Sequence, residues 1–200
     1  MMVKNDCLLE GKVAAAPEWS HDHRSRRFYR FTLEVPRLSG ETDLLPVLLA
    51  EEQLYGVEVG KSLRIRGQLR SYNNRTGVGN RLVLTVYPTE ITAGTGEVCN
   101  RILLTGAVCK VPVFRRTPLG RSICDLMLAV PRRYGRADYL PVIAWGQLAV
   151  YAEGLAVGDT LSLEGRVQSR IYHKATDHGV EERIAYEVSM MHLWEEPEET

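Results

Sequence analysis

Residues 138–149 read DYLPVIAWGQLA, and residues 43–54 read DLLPVLLAEEQL. The Asp, the Leu-Pro-Val and the apolar alternation recur, while Tyr139 and Trp145 stand where the earlier stretch has Leu44 and Ala50. Shifting the chain by 95 lays residues 5–50 on 100–145 with sixteen identities, including Gly11, Pro17, Arg37, Gly40, Asp43 and Pro46. Average residue usage would give about three. Beyond residue 60 the offset becomes 98, where GKSLRIRGQLRS (60–71) lies on GDTLSLEGRVQS (158–169), so the first copy lacks three residues between Ala50 and Gly60. The chain is an internal repeat. Its expected parts are an N-terminal domain, 1–92, a Gly/Thr linker, 93–98, a C-terminal domain, 99–194, and a short acidic end, 195–200.

Each copy reads mainly as strands, five in number, with clear period-two alternation in FYRFTLEV and ICDLMLAV. In the first copy these are CLLEGKV, FYRFTLEV, LPVLLA, SLRIRGQL and RLVLTVYPTEI; in the second, ILLTGAV, ICDLMLAV, LPVIAW, TLSLEGRV and RIAYEVSMMHL. The glycine inside the first strand of each copy predicts a bulge or sharp bend. Between the third and fourth strands, GQLAVYAEGLAVG (146–158) carries Leu148, Tyr151 or Ala152, and Leu155 at helical spacing, with Gly158 as a stop. The three missing residues shorten this element in the first copy by close to one turn. Five strands with a short helix between strands three and four predict an all-β fold; the order is that of an OB-fold, though other small barrels also have five strands, and two tandem OB-fold barrels are the expectation.

Composition narrows function less than the repeat does. With 44% hydrophobic and 25% charged residues and formal net charge +0, the chain reads as an ordinary folded protein. No apolar run reaches membrane-spanning length, and the N-terminus lacks the pattern of a signal peptide. Cys7, Cys99, Cys109 and Cys124 show no metal-ligand spacing and read as free thiols of a cytoplasmic protein. His21 and His23 offer too few ligands for a metal site. No nucleophile–base or paired-carboxylate arrangement marks an enzyme, and no cofactor is expected. Charge is uneven: residues 110–136 hold Lys110, Arg115, Arg116, Arg121, Arg132, Arg133 and Arg136 against Asp125 alone.

The second copy resembles the bacterial single-stranded DNA-binding protein family. NRILLTGAVCKVPVFRRTPLGRSICDLMLAVPRR resembles that family's opening, with Pro112, Arg115, Pro118 and Gly120 carrying a P-x-x-R-x-x-P-x-G loop. VIAWGQLA resembles its third strand and helix start, and LEGRVQSRIY its fourth strand. The resemblance implies sequence-non-specific binding of single-stranded DNA in replication, recombination or repair, by a nucleoid-associated protein. It implies base stacking on Tyr134, Tyr139, Trp145 and Tyr172, with phosphate contacts from Arg115, Arg116, Arg132, Arg133, Arg170 and Lys174. The matching positions of the first copy are Ser39, Leu44, Ala50 and Asn74, so that barrel is expected to serve mainly as scaffold. Its basic run RSRRFYRF (24–31) remains a candidate for phosphate contacts. Four barrels are common in the family, which implies a homodimer here. The chain ends at HLWEEPEET with an acidic end in place of a long tail, so tail-mediated recruitment of replication proteins is not expected. Two other readings stay open: an accessory interaction module of a replisome or mobile element, and an RNA-binding OB protein.

Overall fold

The computed structural model describes residues 4–75, 80–176 and 179–194, without the side chains of Lys174 and Thr176. The acidic end lies outside the described residues. In the N-terminal half the strands are β1 (Asn5–Val13), β2 (Glu18–His23), β3 (Arg26–Pro36), β4 (Thr42–Ala50), β5 (Ser62–Asn73) and β6 (Leu82–Ala93). Strand β1 pairs antiparallel with both β3 and β5, β3 with β4, and β5 with β6, while β4 and β6 run parallel at Val47↔Val86. The ladder β1–β3–β4–β6–β5–β1 therefore closes on itself. Closure follows from alternation: Asp43, Leu45, Val47 and Leu49 of β4 point inward, with Leu9, Leu33, Ile65 and Leu69 from the other strands.

The C-terminal half repeats this plan. It comprises β7 (Asn100–Val108), β8 (Val113–Arg116), β9 (Ser122–Pro131), β10 (Ala137–Trp145), α1 (Gln147–Glu153), β11 (Thr160–Thr176) and β12 (Gly179–Leu193). Here β7 pairs with β9 and β11, β9 with β10, β11 with β12, and β10 runs parallel to β12 at Val142↔Val188. Ile102, Leu104, Leu128, Leu140, Leu161 and Leu163 fill this second core.

The structure departs from the sequence reading at four points. Each copy has a sixth strand, β2 or β8, where loop was expected. Both lie at sheet edges and are largely solvent-facing, so they lack the one-sided apolar pattern that reveals a strand. Helix α1 buries Ala149 and Ala152 and ends at Glu153; Gly158 instead turns the chain into β11 at φ +101. In the first copy the deletion leaves only a 3₁₀ turn, Glu51–Gln53, in place of the expected short helix. Gln53 substitutes for the missing turn: its Oε1 accepts from the Ala50 amide at 3.1 Å and its Nε2 donates to the Pro88 carbonyl at 3.2 Å. The expected bend at Gly11 is a close strand crossing, since a Cβ there would fall on the Glu34 carbonyl oxygen.

Two compact units result, one built on Arg101–Val167 with β12 from Glu187, the other on Cys7–Asn100 together with Gln168–Tyr186. The outer ends of β11 and β12 thus form an arm that packs with the N-terminal barrel. Its anchor is Asp43, fully buried, which accepts from the Ser169 amide at 2.8 Å and from Arg37 Nε at 2.7 Å. Ser169 Oγ in turn lies 3.4 Å from the Leu44 amide, and Tyr172 donates its hydroxyl to Asn80 Oδ1 at 2.9 Å.

The segment after β6 has a flexible composition, yet it is tied down within the N-terminal unit. Glu10, 2% exposed, accepts from the Gly96 amide at 2.5 Å, the Glu97 amide at 3.1 Å and Thr95 Oγ1 at 2.9 Å, with Arg64 Nη1 at 3.4 Å. Burial pushes the Glu10 carboxyl upward, but the Thr95 and Gly96 hydrogen bonds and the Arg64 charge outweigh it, leaving the pKa below the ordinary glutamate value. A lowered folded-state pKa contributes stability that is complete above the unfolded value and lost as pH falls through the folded one. Glu10→Gln is therefore expected to destabilise the protein at neutral pH, with the difference from wild type shrinking in acid. Urea unfolding across that range checks it; a difference independent of pH would contradict the clasp.

Candidate nucleic-acid interface

Alternation along β10 decides which rings face out. Asp138, Leu140, Val142 and Ala144 are buried in the barrel, so Tyr139, Pro141, Ile143 and Trp145 lie on the outer face. Tyr139 is 48% and Trp145 40% exposed. Six residues at ~3.3 Å each set the two rings about 20 Å apart along one strand. Across the β9 register, Ile123 stands opposite Trp145, Met127 opposite Pro141 and Ala129 opposite Tyr139. Between the rings Ile143 is buried and stands opposite Asp125, so the apolar surface beside Tyr139 is Pro141, Ala129 and Met127, the last a residue that the sequence reading missed.

Tyr134 sits at the tip of the same β9–β10 hairpin. The turn is closed by the Arg132 amide donating to the Arg136 carbonyl at 2.7 Å, and Tyr134 adopts φ +64 with 95% of its surface exposed. A left-handed backbone costs a tyrosine about 1–2 kcal/mol. The first copy closes its hairpin with the same bond, Arg37 amide to Glu41 carbonyl at 2.7 Å, but turns differently, with the Gly40 amide donating to the Arg37 carbonyl at 3.0 Å and no left-handed residue at Ser39. Leu38, Ser39 and Glu41 there become Arg133, Tyr134 and Arg136.

Tyr172, the fourth expected ring, belongs to the other compact unit. Its hydroxyl is held by Asn80 and Arg170 lies over its ring at 5.9 Å. The structure thus gathers Tyr134, Tyr139 and Trp145 on one hairpin and places Tyr172 and Arg170 in the arm.

The expected phosphate-binding cations also divide. Arg132 donates to Asp138 Oδ1 at 3.0 Å, and that carboxylate is fully buried. Arg115 forks onto Asp125 at 2.8 and 3.3 Å. Arg116 and Arg133 are exposed, and among the described residues neither has an acidic partner; the same holds for Arg121 and Arg136. The side chain of Lys174 lies outside the described residues. One signal for separating these roles was available in the sequence. Arg37 and Asp43 recur as Arg132 and Asp138, and a pair kept in both copies is structural when only one copy carries the rings.

In the first copy the corresponding corner is closed. Ala50, 1% exposed, pairs across the sheet with Phe28, so the large ring has moved from the third strand to the second. The His21 ring stacks on Phe28 at 5.0 Å and 9°, leaving Phe28 only 7% exposed. His21 is thus a packing residue, with its Nδ1 3.1 Å from Ser20 Oγ. Leu44, the counterpart of Tyr139, has its amide beside Ser169 of the arm.

Two closed five-stranded ladders, each with a parallel pair between the third and last barrel strands, define a tandem OB-fold protein. Residues 99–193 match the Single-strand binding protein family. That match covers the C-terminal half of the chain. A single-stranded DNA-binding protein of Thermus aquaticus is 40% identical over 73 residues, 34% of this chain and 28% of that protein. "Single-stranded DNA-binding protein 2" of Streptococcus agalactiae is 29% identical over 82 residues, 38% of this chain and 63% of that protein. The matched stretch spans half of the Listeria innocua relative at 32% identity. The solved structure of wild-type single-stranded DNA binding protein from Thermus aquaticus shares the fold of the whole chain. Its TM-score is 0.78 at 22% identity, covering 100% of this chain and 96% of that one. Among the described residues no helix is long and apolar enough to cross a membrane.

Proposed function

We infer that this chain binds single-stranded DNA without reading sequence, through the outer face of the β9–β10 hairpin of its C-terminal barrel. One observation carries the reading: Tyr134, Tyr139 and Trp145 are exposed on a single hairpin, in a unit whose Arg116, Arg121, Arg133 and Arg136 lack acidic partners among the described residues. Every base has a π-face, so such rings hold unpaired strands irrespective of sequence, while arginines meet the backbone. Arg116 and Arg133 are the first choices for phosphate, because Arg115 and Arg132 would have to leave carboxylates. Tyr172, Arg170 and Lys174 on the arm extend the same proposal. So do the domain limits 1–92 and 99–194, and a homodimer presenting four barrels in replication, recombination or repair.

The test is an oligo-dT titration followed by tryptophan fluorescence at two salt concentrations. Trp145 is expected to be quenched, and log affinity to fall with log salt at about −0.7 per phosphate neutralised. Absence of quenching at low salt would defeat the reading.

A further inference from the structure

The basic run RSRRFYRF of the first copy is a cationic motif that the proposed interface leaves unused, and three of its four arginines lie beside carboxylates. Arg26 forks onto Glu52, Nε to Oε1 and Nη2 to Oε2, both at 3.3 Å. Arg27 Nη1 lies 3.6 Å from Glu51 Oε1, and Arg30 Nη2 lies 3.7 Å from Glu18 Oε2. Tyr29 donates its hydroxyl to the same Glu51 at 3.3 Å. The arginine side chains are 54%, 61% and 68% exposed, so these are surface pairs. Such pairs add little stability. Their effect is on the field, since a cation with a carboxylate within 4 Å presents a dipole to a passing phosphate in place of a charge.

The acids belong to the first copy alone. Glu18, Glu51 and Glu52 correspond to Val113 on the edge strand β8 and to Gly146 and Gln147, which directly follow the exposed Trp145. The same exchange occurs at the hairpin tip, where Glu41 corresponds to Arg136. We propose that Glu18, Glu51 and Glu52 form a carboxylate fence that neutralises Arg30, Arg27 and Arg26 and keeps the phosphates of single-stranded nucleic acid off the N-terminal barrel. The proposal rests on the function inferred above, and it identifies these glutamates as residues that determine which barrel the strand occupies.

The experiment measures binding of a fluorescently labelled oligo-dT by anisotropy, using the full chain carrying Trp145→Ala. To this parent are added either Glu18→Gln, Glu51→Gln and Glu52→Gln, or, as a control of equal charge change, Glu58→Gln, Glu90→Gln and Glu153→Gln. The fence variant is expected to bind about tenfold tighter than the parent at low salt, with a salt slope steeper by about 2, the value for three phosphates at ~0.7 each. The control is expected to gain less than about twofold. Equal gains in both variants, or none in the fence variant, overturn the proposal. Failure of the Trp145→Ala parent to lose affinity relative to wild type strikes the inferred function instead, and is read separately.

Discussion

Trp145→Ala is expected to weaken binding of oligo-dT by about 1–3 kcal/mol, the value of one base–aromatic stack. The ring stands at the end of β10 with 40% of its surface exposed, opposite Ile123 and on the face away from the buried Ala144, so its removal leaves the barrel core in place. Tyr139→Ala, on the same face, should lose a comparable amount. Leu44→Ala, at the matching place in the first copy, should lose nothing, because that position offers no ring. Anisotropy titrations of the three variants decide the matter, with thermal melting alongside to confirm an intact fold. Unchanged affinity in Trp145→Ala and Tyr139→Ala would remove the stacking surface from the account.

The second large effect concerns stability. Asp138 and Asp43 are fully buried, and each holds an arginine, Arg132 at 3.0 Å and Arg37 at 2.7 Å. Removing one partner of a buried pair strands the other charge, at roughly 3–5 kcal/mol. Arg132 and Arg37 keep 27% and 16% of their side-chain surface exposed, so Asp138→Ala and Asp43→Ala should each show a clear loss in urea unfolding, below that of a fully buried charge. Asp43 also accepts from the Ser169 amide, so its loss loosens the arm as well. Arg133→Ala provides the contrast: no change in unfolding, and a salt slope for DNA shallower by about 0.7, because this arginine holds no carboxylate among the described residues. Equal unfolding curves for Asp138→Ala and wild type would mean that Arg132 is free to serve phosphate after all.

These two expectations separate Arg132 and Arg133, neighbours that in the sequence only the recurrence of Arg37 and Asp43 as Arg132 and Asp138 distinguishes. Both lie in one basic stretch, and nothing in composition tells them apart. The buried Asp138 does, because a carboxylate inside a barrel recruits the nearest guanidinium whatever the net charge of the segment. The same holds for RSRRFYRF, which reads as a phosphate site until Glu18, Glu51 and Glu52 are seen beside it.

Taken alone, the amino-acid order determined the repeat, the two barrels and the shortened element after Ala50. Each of these depends on local rules: inward and outward positions alternate along a strand, and a three-residue gap removes about one helical turn. It also singled out Tyr139 and Trp145, whose outward parity on β10 is set by the same alternation. Only the tertiary structure decided that Phe28 is roofed by His21, that Tyr172 and Ser169 pack with the N-terminal barrel, and which arginines are paired. Those outcomes depend on strand register and on which distant segments meet, Arg26 with Glu52 or Ser169 with Asp43. Burial and Coulomb energy act between residues brought together by folding, and no window of neighbouring residues contains that information.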